Sequence, residues 1–469
     1  MRIHPEKVLF VFLFFWNFSA FTQQISFERY YNNLNSYHGS SVQQTFDGGY
    51  VITGVHSVTT FNNNLVLFKT DSVGNLLWIK SYGGPNNDGG QCVKQTLDSG
   101  FVIVGTKDYN STSDSKIWLL RTDKNGDTLW SKSIIAGLGA NVGYYVEQTT
   151  DTGFIICGYT SAVGAGSYDV FIVKSDLNGD TVWTKTFGSQ YADAAYCIKQ
   201  TIDGGYIVTG YYGTSLPFNS DVYVIKTNAI GDSLWTRKYG GCRSDVAHSV
   251  EETSDGGYVL GGMTSSFSDT IFWNMYLIKT NANGDTLWTK DYGLPGSENI
   301  YSVRQTSDNG FMLFFFFYGA SIVKTNSVGD TLWTKSYNGI AWFGDLTADV
   351  VCIITGDFGQ FGYSIYLLKT DSSGYAITGF GEPAGDVMGG FSVYPNPFSD
   401  YATLVISAGY LQDKPLLRIF DIAGKIVLEQ IITNERTALQ RGNLSPGIFI
   451  CHLTSKNGIL ASGKIILTD

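Results

Sequence analysis

Apolar and polar residues alternate along most of the chain in short runs that stop at Gly, Asp and Asn. Residues 198–241 show the pattern: IKQT, YIVTG, DVYVIKTN and SLWTRKYGG are separated by DGG, a variable loop and the turn AIGD. Period-two alternation bounded by turn residues predicts four antiparallel strands joined as a meander. The unit recurs. FKTDSVGNLLWIKSYGG at Phe68, LRTDKNGDTLWSKS at Leu120, VKSDLNGDTVWTKTFG at Val173, IKTNAIGDSLWTRKYGG at Ile225, KTNANGDTLWTKDYG at Lys279 and VKTNSVGDTLWTKSY at Val323 share one spacing. Their tryptophans, Trp78, Trp130, Trp183, Trp235, Trp288 and Trp333, lie 52, 53, 52, 53 and 45 residues apart. A period near 50 points to a propeller, with one four-stranded blade per repeat.

Each polar cluster in the repeat reads as a turn. The xDGG phrase at 46–49, 202–205 and 254–257, with the variants LDSG, TDTG and SDNG, suits a tight hairpin, because Asp bonds its own backbone and Gly accepts positive φ. The loop DKNGD at Asp123 resembles the start of a calcium loop, but it lacks the Glu at the twelfth position and the flanking helices. Asn228, Asn281 and Asn326 replace the leading acid in three copies. The expectation is a hairpin without metal. The tryptophan that follows is expected to be a packing residue, wedged between neighbouring sheets.

The chain ends complement each other. A seventh signature, KTDSSG at Lys369, runs into YAITGFGEP with no Trp-bearing strand, while ISFERYYNN near the N-terminus aligns with TLWTKSYGG and has no preceding three strands. Phe27 to Tyr31 is therefore expected to complete the last blade of a seven-bladed ring, which removes free sheet edges. The expected fold class is all-β: a seven-bladed β-propeller of four-stranded antiparallel blades over 23–378, a linker over 379–390 and a small Ig-like β-sandwich over 391–469. The blades resemble those of secreted bacterial β-propellers of the quinoprotein-like group, which implies an architecture and no activity.

Composition narrows the function. Charged residues make up 15% and aromatics 15%, with 55 glycines and a net charge of −10, which suits a turn-rich β protein and offers no basic footprint for nucleic acid. Residues 1–22 have Arg2 and Lys7 ahead of an apolar run and then small residues, the layout of a secretory signal peptide, so no membrane span is expected in the mature chain. The apolar FMLFFFF at 311–317 is of strand length. The six cysteines show no disulfide framework and read as small apolar residues.

The last eighty residues carry a different set of motifs: Tyr394-Pro395-Asn396-Pro397, then FDIAGK with Asp421, Gly424 and Lys425, then LSPG ending at Gly447, then Gly463-Lys464. Together they resemble the type A C-terminal sorting domain of type IX secretion. The resemblance implies a partner, the type IX machinery, with carriage across the outer membrane, removal of the domain and delivery to the cell surface or medium.

Catalytic signatures are missing. His38, His56, His248 and His452 share no metal-ligand spacing, and there is no GxSxG, HExxH or phosphate-cradling glycine loop. No catalytic residue, metal or cofactor is assigned, and acids such as Asp169 and Asp221 read as turn or solvating residues at strand entries. By strand parity the second-to-third and inter-blade loops share one face and vary in every copy. Their Tyr, Phe, Ser and Asn suit a carbohydrate or protein ligand. The alternative is a polysaccharide hydrolase using two carboxylates that the ring brings together.

Overall fold

The structure, a computed structural model, describes residues 26–468 except 32–36, 60–61, 110–113, 216–218, 269–271, 294–295, 317–318, 338, 359–363, 377–390, 395–397, 407–410, 412–413, 422–423, 443 and 456–457. The expected signal peptide, the linker and Pro395 to Pro397 lie outside the described residues. Every named element is a strand, and no helix among the described residues is long and apolar enough to cross a membrane.

Seven four-stranded antiparallel sheets follow one another. Blade four shows the plan: Asp193–Gln200, Tyr206–Gly213, Ser220–Thr227 and Ser233–Tyr239 pair in sequence order. The first strands of neighbouring blades touch all the way round, and Tyr37–Gln44 of blade one touches Ile340–Leu346 of blade seven, so the ring is closed with the first strands innermost. The second and third strands are buried on both faces. Outer strands such as Ser233–Tyr239 alternate exposed and half-buried residues, which is why only they read as polar on one side. One apolar cluster runs from Val102 of blade two to Ile278 of blade five. Five of the six cysteines are buried in strands, and no disulfide joins any two of them.

The seventh blade is completed by the N-terminal strand. Phe27–Tyr30 pairs antiparallel with Ser364–Lys369, in the register Phe27 to Lys369 through Tyr30 to Tyr366. Phe27 thus occupies the register place that Trp78 takes opposite Lys69 in blade one. Tyr31 hydrogen-bonds the Gly74 carbonyl at 2.7 Å, just as Tyr239 bonds that of Gly284 at 2.6 Å.

The repeated polar residues turn out to clamp hairpin to hairpin. Asp203 of the first turn accepts the Gly205 N–H at 2.9 Å, the Thr201 hydroxyl at 2.6 Å and the Lys226 ammonium at 2.7 Å, the last arriving from the third strand. Lys226, only 4% exposed, also donates to the Thr227 carbonyl, so its burial is matched by a charge partner and a further hydrogen bond. The same pair recurs as Lys69 with Asp47, Arg121 with Asp98, Lys174 with Asp151, Lys279 with Asp255, Lys324 with Asp308 and Lys369 with Asp349. Burial favours the neutral Asp203 carboxyl, but the bonds from Lys226, Thr201 and Gly205 outweigh it and hold it at about 2.

In the second hairpin Asn281 Oδ1 accepts the N–H groups of Asn283 and Asp285, both at 2.9 Å, which makes an Asx turn. The closing Asp of that turn bridges blades: Lys80 reaches Asp127 and Lys185 reaches Asp232, exposed pairs of small energetic worth.

The C-terminal strands form a three-stranded sheet, Phe391–Tyr394, Tyr401–Ile406 and Arg436–Gln440, and a four-stranded one, Ile426–Ile431, Leu416–Phe420, Gly447–Ser455 and Gly458–Leu467. Leu404 and Leu439 of the first and Ile419 and Leu453 of the second share one core, a β-sandwich.

Candidate functional site

The innermost strands wall a channel, and their sequence arranges it in layers. Two residues before the Thr that opens each first hairpin, the seven blades carry Gln43, Lys94, Glu147, Lys199, Glu251, Arg304 and Asp345. Cation and acid alternate from Lys94 to Asp345. Seven positions cannot alternate two signs without one clash, and uncharged Gln43 stands at that junction. Arg304 Nε donates to Asp345 Oδ1 at 2.7 Å and Lys199 lies 3.6 Å from Glu147. Gln43, Glu147 and Glu251 each accept a backbone N–H from the next blade, those of Gln95, Gln200 and Gln305. Burial pushes the Glu251 carboxyl up, while at Asp345 the opposing attraction of Arg304 and Lys94 outweighs burial and holds it down. The layer above contains Tyr145 and Phe343. Lys94 sits 5.4 Å from the Tyr145 ring centre and 5.9 Å from that of Phe343.

Farther toward the variable loops, each innermost strand bulges at one place, as between Ala195 and Cys197 in blade four. The bulge residues of blades three to seven are Tyr144, Tyr196, His248, Tyr301 and Trp342. Their ring centres follow one another at 4.9, 4.6, 5.7 and 5.6 Å, a continuous aromatic arc across five blades. Tyr159 and Tyr211 extend it outward from Tyr144 and Tyr196, each at 5.9 Å, and Tyr168 joins Tyr159 at 4.9 Å. Burial, with Tyr109 and Tyr168 nearby, pushes the Tyr159 phenol up to about 12. Burial lowers the His248 imidazole to about 4, so the arc is neutral at physiological pH. At its end Trp342 Nε1 donates to Asp357 Oδ2 at 2.6 Å, and His38 Nδ1 lies 3.1 Å from the same oxygen. Such half-buried faces with polar tips suit a polar ligand with a flat apolar side.

The residues singled out in the sequence fall elsewhere. The repeat tryptophans are half-buried on outer strands, each against the next blade: Trp78 packs on Phe101, Trp130 on Phe154, Trp183 on Tyr206, Trp235 on Tyr258 and Trp288 on Phe311, at 5.8–6.1 Å. A Cβ on Gly126, where φ is +79°, would meet the Trp78 ring at 2.9 Å, so the turn glycine also makes room for the preceding blade's indole. Gly374 meets Trp333 in the same way.

Asp169, read as a turn or solvating residue at a strand entry, is buried against its own loop. It is 2% exposed and accepts the Gly166 N–H at 3.0 Å, because the loop folds back over the blade seam. The aromatic arc escaped the sequence reading, although it was visible as one aligned column directly after Gly143, Ala195 and Ala247 at the strand entries of NVGYYVEQT, DAAYCIKQT and DVAHSVEET. Of the variable loops, Tyr109, Tyr168, Phe267 and Phe272 are exposed at the loop-side face.

Residues 392–468 match the family described as the secretion system C-terminal sorting domain. The C-terminal β-sandwich is a type IX sorting domain. It marks the chain for the type IX secretion machinery. No curated protein matches the chain. Among solved structures it is similar to PorZ of Porphyromonas gingivalis, a surface component of the type IX system, with 9% identity over 90% of this chain and 58% of that one and a TM-score of 0.44. A second is the extracellular domain of the hybrid two-component system BT4673 from B. thetaiotaomicron, with 13% identity over 92% and 56% and a TM-score of 0.44. The propeller domain of the Trilobed protease from Pyrococcus furiosus shows 11% identity over 75% and 98%, again at 0.44. The chain thus spans under three fifths of the length of the PorZ and BT4673 structures.

Within the sorting domain, Asp421 Oδ1 accepts the Lys425 N–H at 2.9 Å and Gly424 takes φ +81°, the same Asx turn that the propeller uses. Lys464 pairs with Ile450 in the strand that Gly447 begins. Just past the Tyr394 motif, Phe398 bonds the backbone of Ile466 and Thr468 at the end of the last strand.

Proposed function

We propose that the propeller is a non-catalytic binding module, exported through its sorting domain to the cell surface or medium, and that it takes a carbohydrate at the loop-side mouth of the channel. The aromatic arc carries this reading: five neighbouring neutral rings, four half-buried and Trp342 exposed, offer flat apolar faces beside hydroxyl and imidazole tips. A protein ligand would use the same exposed Tyr109, Tyr168 and Phe267. Hydrolysis would need free carboxyl groups on this wall, about 5 to 10 Å apart. Two loop-side carboxyl pairs stand at blade seams, Asp169 with Asp193 and Asp221 with Asp245, and in each one member spends both oxygens on loop and strand-end hydrogen bonds, Asp193 from Ser189 and Gly213 and Asp245 from Gly241, Thr264 and Ser266.

The test is a glycan-array screen with the full chain, followed by titration of the best hit into Tyr196→Ala and Tyr301→Ala. Loss of affinity by about tenfold in each supports the reading; equal affinity in both variants, or cleavage of the glycan, overturns it. Export is tested by fractionating a type IX-competent host that makes the chain without residues 391–469. The separate sandwich core implies that the propeller still folds but stays in the periplasm.

A further inference from the structure

Three cations and three acids share the charged ring, but one cation has no acid in contact. Lys199 has Glu147 and Arg304 has Asp345, but Lys94, 8% exposed, makes no hydrogen bond or ion pair among the described residues. The ring explains why. Its neighbour on one side is Gln43, whose Oε1 is taken by the Gln95 N–H at 2.6 Å, and Glu147 on the other side turns away to Lys199. Burial acts to lower the Lys94 pKa, but the influence of Tyr145, Cys92 and Asp345 outweighs it, so the ammonium stays charged. A buried charge in this state carries a desolvation cost that the aromatic faces of Tyr145 and Phe343 only partly offset.

Lys94 also lines a cavity of about 490 Å³, within the usual range for small-molecule sites. The rim includes Leu97, Thr149 and Thr150 of the first hairpin turns, so the chamber opens on the face opposite the variable loops. The Tyr145 hydroxyl is a second loose end. It is buried without a hydrogen-bond partner, on the ring over which the Lys94 and Lys199 ammonium groups both sit, at 5.4 and 5.1 Å.

The geometry points to a second binding site, a turn-side chamber in which Lys94 takes the carboxylate of a small polar molecule. A carboxylate would give Lys94 the contact partner that Glu147 and Asp345 give the other two cations. A monoanion fits better than a phosphate, because a second negative charge would repel Glu147 and Asp345 at the chamber wall. The rest of the ligand would lie against polar Gln95 and Gln148. The site is independent of the aromatic arc and stands or falls separately.

Calorimetric titration of the full chain with glucuronate and with acetyl-alanine tests the two sources of such a carboxylate, an acidic sugar and a peptide end. At least one is expected to bind, about tenfold or more weakly in Lys94→Met and unchanged in Tyr196→Ala. Unliganded Lys94→Met is also expected to melt higher than the parent, since a ligand-site cation left unpaired costs stability that a structural one would contribute. Absence of binding by both compounds at about 10 mM, equal affinity in Lys94→Met, or a lower melting temperature for that variant overturns the assignment.

Discussion

Blade four and blade seven reach the same sheet by different routes. In blade four a single run of chain supplies all four strands, and Trp235 of its outer strand is half-buried against Tyr258 of blade five. In blade seven the outer strand comes from the other end of the chain, and Phe27 in the tryptophan's place is 1% exposed, packed edge-on against Tyr50 at 5.7 Å. Blade seven also abandons the turn glycine, holding Val350 at φ +58°, and puts Leu346 where blade four has Gln200, whose Oε1 takes the Thr150 N–H of the previous blade. What it keeps is the register of the closing strand, the buried aromatic and the Lys369 to Asp349 clamp. The contacts that a ring cannot close without are retained, and those that only tune one hairpin are free to vary.

The strongest way to break the comparison is to delete residues 26–31. Blade seven would present an unpaired edge in Ser364–Lys369, and a chain that aggregates or elutes as an expanded species is expected; an equally stable monomer by size exclusion and thermal melting would show that closure is dispensable. Point changes sharpen it. Phe27→Ala is expected to cost about 4 kcal/mol and Trp235→Ala about 2, because the first ring is fully buried and the second only half. Equal losses in denaturant unfolding would mean that the closing seam is no different from the others.

Acid should weaken a regular seam. His248 of blade five stacks between Tyr196 and Tyr301 with its Nε2 buried and unpartnered, and its folded pKa of about 4 lies below the unfolded value of 6.5. The unfolded chain therefore binds the extra proton first. This contribution is complete above about pH 6.5 and is lost as pH falls toward 4, by about 3 kcal/mol in all. His248→Phe is expected to flatten the melting profile in that window; an unchanged slope would place the titration elsewhere. Below about pH 4 the Asp203, Asp255 and Asp308 clamps, held at about 2, weaken in turn in both forms.

The smallest effect is a gain. Val350→Gly relieves a β-branched residue in the left-handed region, and about 1 kcal/mol of added stability is expected from chemical denaturation. A loss would mean that burial of the neighbouring turn, and not backbone conformation, governs that hairpin.

The sequence by itself determined the strands, the blade count, the closing strand and the sorting domain, because each is written locally. Period-two runs, turn residues at constant offsets and the motifs from Tyr394 to Lys464 need no knowledge of distant neighbours. It also showed that KTNANGDTLWTKDYG is a hairpin, since Asn281 serves there as well as Asp123. The partners of the repeated Lys and Asp residues were decided only in three dimensions. Lys226 and Asp203 lie on different hairpins, and the clamp between them depends on strand register. The channel is more remote still. Tyr196 meets His248, and Lys94 loses its acid to Gln43, only because first strands about fifty residues apart are brought side by side by ring closure. Strand pattern is a property of neighbours along the chain. Charge balance and aromatic stacking at the ring's centre are properties of the whole ring, which no single repeat contains.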